Sequence, residues 1–379
     1  MNPRERVITT LNHKEPDHVP VDLAATTVTS ITYPAYQNLR DYLGLAPDDG
    51  LQLSHVHQGT VIPREDLLRK CHIDFRSLSM PKSPRGMISK WNDDGSFIDE
   101  YNILWKRATC DFSPMTAPLA KSSLEALKTA LWPDPTDPSR VEGLRAKAKN
   151  LYENSDYALV GDIIDRGPFE LAVKLRGYEQ FFTDLALDPV FAEALLEKIT
   201  DTLIALWDLY LTEIGDYVQV VCQGDDLGMQ TGLFISPKMY RKFIKPCHRR
   251  IFSFIRSRTN AKVFMHSCGS VIDIIPDLIE VGVNILNPVQ YGAKGMGLEN
   301  LKRQFGKDLC FWGGAIETQQ ILPYASQAEI ETEILKNLEI MARGGGYVFA
   351  LTHNIQPDIS PEKIVKAYET AAVYSERIF

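Results

Sequence analysis

The chain has 379 residues and is 44% hydrophobic, enough for a large buried core, and its length fits either two domains or one large α/β barrel. A formal net charge of −8 argues against a nucleic-acid surface, which wants a basic face. No apolar run approaches the roughly 18 residues of a membrane span, and "MNPRERVITTLNHKEPDHVP" lacks a signal-peptide core. Six cysteines, at 71, 110, 222, 247, 268 and 310, lie without framework spacing. Reduced thiols and a cytoplasmic location are therefore expected.

In chain order, the first helix starts at Asn2, with Pro3 inside it and Glu5 completing a capping box. "HVPVDL" reads as a short strand with Asp22 near its end, and "DFRSL" as another. "SHVHQG", with His55 and His57, reads as a plain loop. Residues 91–107 look like a hairpin turning at Asp94-Gly95. "LWPDPTDPSR" is a rigid connector inside one domain, because apolar strands occur on both sides of it. From "YALVGDI" onward strand and helix alternate. Asp188-Pro189 opens a long helix with Val190, Leu195, Leu196, Ile199, Leu203, Leu206, Trp207 and Tyr210 at helical period. "YVQVVCQGDD" is a strand and its loop, and the helix after Ser236-Pro237 should bend at Pro246. "KVFMHSC", "NILNPV", "LCFWGGA" and "YVFALTH" are strands. A capping box at Ser326 and Glu329 opens a helix that stops at Gly344, and Ser360-Pro361 opens the last one.

Eight short apolar strands alternating with helices imply parallel pairing, and that number suggests a closed (β/α)8 barrel with an N-terminal helical and hairpin elaboration. An open doubly wound sheet is the fallback, but no G-x-G-x-x-G follows the first strand, and Gly344-Gly345-Gly346 stands after a helix rather than before one. In a barrel, chemistry belongs at the C-terminal strand ends.

His266 and Cys268 end one such strand and, two positions apart, face the same way. An imidazole with a thiolate is a zinc pair. An isolated His-x-Cys is more often a buried thiol beside a hydrogen-bonded imidazole, but His353 ends the last strand at the same rim and supplies a third ligand type. Polar groups at the other strand ends are candidates for catalysis or substrate binding: Asp22, Asp162, Gln223, Asp225, Asp226, Asn287 and Gln290, with Asn354 beside His353. Asp225 and Asp226 with His353 are the candidate acid–base groups. The carboxylates could equally be helix caps or loop ion pairs. Arg166 in "GDIIDRGPFE" could hold an anionic substrate group or a surface ion pair. Cys222, Cys247 and Cys310 read as core.

The segments "GDDLGMQTGLFISPKMYRKFIKP", "FMHSCGSVIDIIPDLIEVGVNILNPVQ", "FWGGAIETQQILP" and "GGGYVFALTHNIQPDISPE" resemble the uroporphyrinogen decarboxylase superfamily, over nearly the whole chain. The resemblance implies a single barrel domain spanning 1–379. Its haem-pathway decarboxylases carry an arginine-rich N-terminal segment, where this chain has "VPVDLAATTVTSITYP". Its cobalamin-linked methyltransferases use His-x-Cys and a later cysteine to bind zinc. His266 and Cys268 match the first two ligands, while His353 stands where the third is expected; decarboxylases carry a histidine at about this place too. The resemblance thus implies zinc, with a corrinoid carried by a partner protein. Candidate partners are a small-molecule substrate, that corrinoid protein and a second copy of the chain. Three readings stay open: a zinc methyltransferase acting between a small molecule or corrinoid and a thiol or folate, a metal-free carboxy-lyase, and a barrel with another reaction or a binding role.

Overall fold

The computed structural model describes residues 1–80, 90–108 and 112–378, so Cys110 lies outside the described residues. Its centre is a curled parallel sheet of seven strands: β1 Phe75–Leu78, β2 Ala158–Gly161, β3 Val220–Gly224, β4 Lys262–His266, β5 Ile285–Asn287, β6 Cys310–Trp312 and β7 Tyr347–Val348. Each strand pairs with its sequence neighbour, and the arrangement is TIM-barrel-like. The eighth expected strand, "VPVDL", is reduced to one residue. Val21 forms a parallel bridge with Phe349 just past β7, and its carbonyl accepts from the Asp74 N–H just before β1. Pro20 cannot donate to a ladder, which helps keep this segment from lengthening into a strand.

Period-2 alternation divides the strand residues between two cores. Val160, Val220, Cys222, Phe264, Ile285, Trp312 and Val348 pack inside the curl. Leu159, Val221, Val263, Met265, Leu286 and Phe311 face the helices. Among these helices are α1 Pro3–Leu11, α2 Pro168–Arg176, α3 Pro189–Ile214, α4 Lys245–Arg258, α5 Gln327–Met341 and α6 Pro361–Ile378. Both expected capping boxes form, at Asn2 with Glu5 and at Ser326 with Glu329. The long helix buries its predicted stripe except Val190, which is 61% exposed at its first turn. The bend expected at Pro246 takes the form of a π-helical turn, Tyr240–Ile244, directly before α4. Such a turn accommodates the missing proline N–H.

The expected hairpin grows into a four-stranded antiparallel sheet of Lys90–Trp91, Phe97–Ile98, Leu104–Arg107 and Phe112–Pro114. "SHVHQG" is not a plain loop: Gln52–His55 and Thr60–Ile62 pair around it. Cys222, Cys247 and Cys310 are buried, as their apolar settings suggest. Among the described residues no helix is long and apolar enough to cross a membrane.

Candidate active site

The inward phase of the sheet does not stop where the strands do. Ala158-Val160 continues to Asp162, Val220-Cys222 to Gly224 and Asp226, Phe264 to His266 and Cys268, and Ile285 to Asn287. Apolar below and polar above, this phase builds a floor of functional groups at the C-terminal rim.

His266 is held in one tautomer. It sits in register with Asn287 on β5, and its Nδ1 lies 2.6 Å from Asn287 Oδ1. The Asn287 amide is itself fixed, because its Nδ2 donates to the Trp312 carbonyl at 2.9 Å. Its Oδ1 can therefore only accept, so His266 Nδ1 carries a proton, and the lone pair available to a metal is the one on Nε2. That nitrogen faces Cys268 Sγ at 3.5 Å.

Two glycines bring the Cys268 loop into place. A Cβ on Gly228 would lie 2.7 Å from the Cys268 carbonyl oxygen, and one on Gly269 only 2.5 Å from the Gly228 backbone. Gly269 also has φ +77°, a conformation that favours glycine. Asp226 then accepts from the Cys268 N–H at 2.9 Å, and Gln290 accepts from the Gly269 N–H at 2.7 Å.

His353 completes the cluster. The ligand atoms of His266, Cys268 and His353 lie within 4.8 Å of one another. Tetrahedral zinc, with bonds of about 2.0–2.3 Å, sets its ligand atoms roughly 3.3–3.8 Å apart. The His266–Cys268 pair already meets that spacing, and His353 needs a small shift. The Asn354 N–H donates to His353 Nδ1 at 2.8 Å, so binding through Nε2 would break that bond. With this adjustment the donor set fits zinc. Burial and the neighbouring His266 hold the His353 imidazole down at about 4, so it is neutral. Burial, with the charges of Asp226 and Glu170, pushes the Cys268 thiol well up.

Two cavities meet at this cluster. The first, of about 180 Å³, is lined by His266, Asp226, Asp162, Arg166, Glu170, Lys174 and Trp105 among others. The second, of about 490 Å³, is lined by Cys268, His353, Gln290, Glu317 and Asn354 among others.

The remaining expected residues divide by direction. Asp226 and Asp162 reach the first cavity, and Asp162 also accepts from the Thr27 N–H at 3.0 Å and from the Ser79 hydroxyl at 3.1 Å. Asn354 lines the second while binding the Ser30 N–H and Gln58. Three others line neither cavity. Asp225 points outward, caps the start of α2 through the Phe169 and Glu170 N–H groups, and lies 2.9 Å from His248 Nε2. Gly167, where a Cβ would lie 2.2 Å from that of Asp225, makes the approach possible. Gln223 also points outward, accepting from Trp207 Nε1 and donating to two carbonyls. Asp22 is sealed inside, with Trp312 Nε1 donating to it at 2.7 Å, and burial raises it to about 7.

Among the cavity residues that the sequence reading missed are His57, Trp105, Glu170 and Lys174. A signal existed for two of them. Arg166, Glu170 and Lys174 stand at i, i+4 and i+8, a pattern ordinarily read as an exposed ion-pair ladder. Burial and Asp226 raise Glu170 to about 7.

Residues 114–374 match the uroporphyrinogen decarboxylase (URO-D) family. The chain belongs to that family. A uroporphyrinogen decarboxylase from Geobacter sp. (strain M21) is 26% identical over 211 residues, 52% of this chain and 55% of that protein, so the chain spans about half the length of this curated relative. A solved methyltransferase from Methanosarcina mazei superposes with a TM-score of 0.69 at 18% identity, covering 99% of both chains, which shows the shared fold.

Proposed function

We propose that this URO-D family member is a methyltransferase whose metal centre is zinc held by His266, Cys268 and His353. The observation that carries the reading is that cluster, three soft or borderline donors within 4.8 Å at the strand-end rim, reached by two separate cavities. Methyl transfer needs a donor and an acceptor at one point, and two cavities meeting there suit it. The fold shared with the Methanosarcina mazei methyltransferase supports the same reading. The donor is a methylated small molecule or a corrinoid on a partner protein, and the acceptor a thiol or folate.

Zinc there would supply the Lewis acidity that keeps a thiol acceptor ionised at neutral pH. The chain does the rest. Asn287 presents the His266 Nε2 lone pair, and Asp226 with Gln290 fixes the Cys268 loop. As the acceptor–carbon bond forms and the donor–carbon bond breaks, Glu170 is the carboxyl on the first cavity wall suited to hold the proton of the leaving group.

A uroporphyrinogen carboxy-lyase is the alternative, named by the Geobacter relative. The segment 19–34, where decarboxylases carry arginines, places Thr27 and Val28 on the first cavity. Four carboxyl groups, Asp162, Asp165, Glu170 and Asp226, share its lining and would repel a polycarboxylate. Elemental analysis should find about one zinc per chain after metal supplementation, with none retained by Cys268→Ser. No zinc uptake would remove the proposal, and efficient coproporphyrinogen formation in a direct assay would replace it with the lyase.

A further inference from the structure

The first cavity has an end away from His266, and its chemistry is different. Arg166 and Lys174 leave α2 or its lead-in and converge on Trp105, with the Arg166 guanidinium carbon 4.8 Å and the Lys174 ammonium 5.9 Å from the ring centre. Trp105 is itself fixed, its indole N–H donating to Asp99 at 2.8 Å and its ring edge-on to His57 at 4.1 Å.

Among the described residues neither cation has a carboxylate at charge-assisted hydrogen-bond distance. Arg166 reaches His57 Nε2 at 3.4 Å, Glu170 at 3.5 Å and Asp165 at 3.8 Å. Charge-assisted bonds run about 2.7–2.9 Å. Asp165 is already taken by the Tyr101 hydroxyl at 2.6 Å. No described residue accepts a hydrogen bond from Lys174 Nζ; burial and the charge of Arg166 lower its pKa, against the pull of Glu170. Three other low-exposure cations are tightly paired by contrast: Arg76 with Glu65 at 2.8 Å, Arg176 with Asp184 at 2.7 Å, and Lys245 with Asp277 at 2.7 Å. Two under-paired cations against a fixed aromatic wall form a receptor for an anion with a flat apolar body.

Size and charge narrow the ligand. The cavity of about 180 Å³ slightly exceeds the roughly 150 Å³ that admits one benzene ring. Among the described residues the lining holds only two cations, Arg166 and Lys174, beside four carboxyl groups, so a ligand with more than one negative charge would meet repulsion. We propose that this cavity binds a small single-ring monocarboxylate, its carboxylate between Arg166 and Lys174, its ring against Trp105, and its far end turned toward His266. On the methyl-transfer reading that far end carries the transferred methyl group, and only this part of the inference rests on that reading.

Binding is measured directly, by calorimetry on the full chain, without turnover. The probes are benzoate, its neutral near-isostere benzamide, and acetate, which keeps the charge and lacks the ring. Benzoate should bind saturably and at least about tenfold more tightly than either control. Lys174→Met keeps the apolar stem, and Arg166→Gln removes the charge while keeping a polar end. Each should weaken benzoate about tenfold or more and leave benzamide unchanged, with an unaltered circular-dichroism spectrum confirming the fold. No saturable benzoate binding below about 10 mM, equal binding of benzamide, equal binding of acetate, or full benzoate affinity in both variants would overturn the proposal. A chain that binds benzoate and takes up no zinc refutes methyl transfer and keeps this site. A chain that takes up zinc and ignores benzoate does the reverse.

Discussion

Asn287→Ala tests how the site is built, because one side chain fixes the His266 ring and ties β5 to β6. The substitution removes an acceptor 2.6 Å from His266 Nδ1 and a donor 2.9 Å from the Trp312 carbonyl. Asn287 is fully buried, so water does not replace either partner at once. Each orphaned group costs about 1–3 kcal/mol, and the pair about 3 kcal/mol of folding stability. The ring is then free to rotate and to move its proton, so the Nε2 lone pair is no longer presented to Cys268. Loss of such an outer hydrogen bond typically lowers metal affinity about 10–100-fold, or roughly 1.4–2.7 kcal/mol. Urea unfolding measures the first effect, and zinc competition against a chromogenic chelator the second. Asn284→Ala is the control. It sits just before β5 and accepts from the Val263 N–H at 2.9 Å, far from the rim. It should cost about 1 kcal/mol of stability and keep the zinc affinity. If Asn287→Ala bound zinc as tightly as the unmodified chain, the tautomer argument would be wrong.

Cys268→Ser should abolish activity and lower zinc affinity by orders of magnitude, because a hydroxyl keeps its proton and its oxygen is hard; Cys268 is only partly buried, so unfolding should show a change within about 1 kcal/mol. Cys222→Ser should do the opposite, losing about 1–3 kcal/mol in the apolar interior of the sheet while zinc binding stays intact; activity and zinc retained by both variants would make Cys268 a bystander. In metal-free protein the raised Glu170 contributes stability that is full below its unfolded value near 4.5 and is lost as pH rises through about 7. Glu170→Gln should therefore gain about 2 kcal/mol on the parent between about pH 5 and about pH 8, and parallel stability–pH curves would show that Glu170 does not titrate there.

Much of this site was written in local pattern. Strand–helix alternation signalled the parallel sheet, and spacing by two put His266 and Cys268 on one face, because successive strand side chains alternate. The capping boxes at Asn2 and Ser326 were legible because their bonds close within three residues. Long-range geometry decided the rest. Asp225 and Asp226 are neighbours with opposite fates: one turns outward to cap α2 and meet His248, the other inward to the first cavity beside His266. The identity of an aspartate does not choose between them; the register of β3 against β4 does. His55 and His57 looked idle because the cavity they line is completed by Trp105 and Arg166, about 50 and 110 residues further on. The Arg166–Glu170–Lys174 ladder looked solvated because a helix sequence does not say which wall will stand against it. The sequence by itself determined backbone hydrogen-bond habits and the side on which each strand residue falls. The curl of the sheet, which carries strand ends hundreds of residues apart to one rim, determined which of those side chains lose water and meet, and desolvation at that rim is what turns ordinary histidines, a thiol and two lysine- and arginine-type cations into a candidate site.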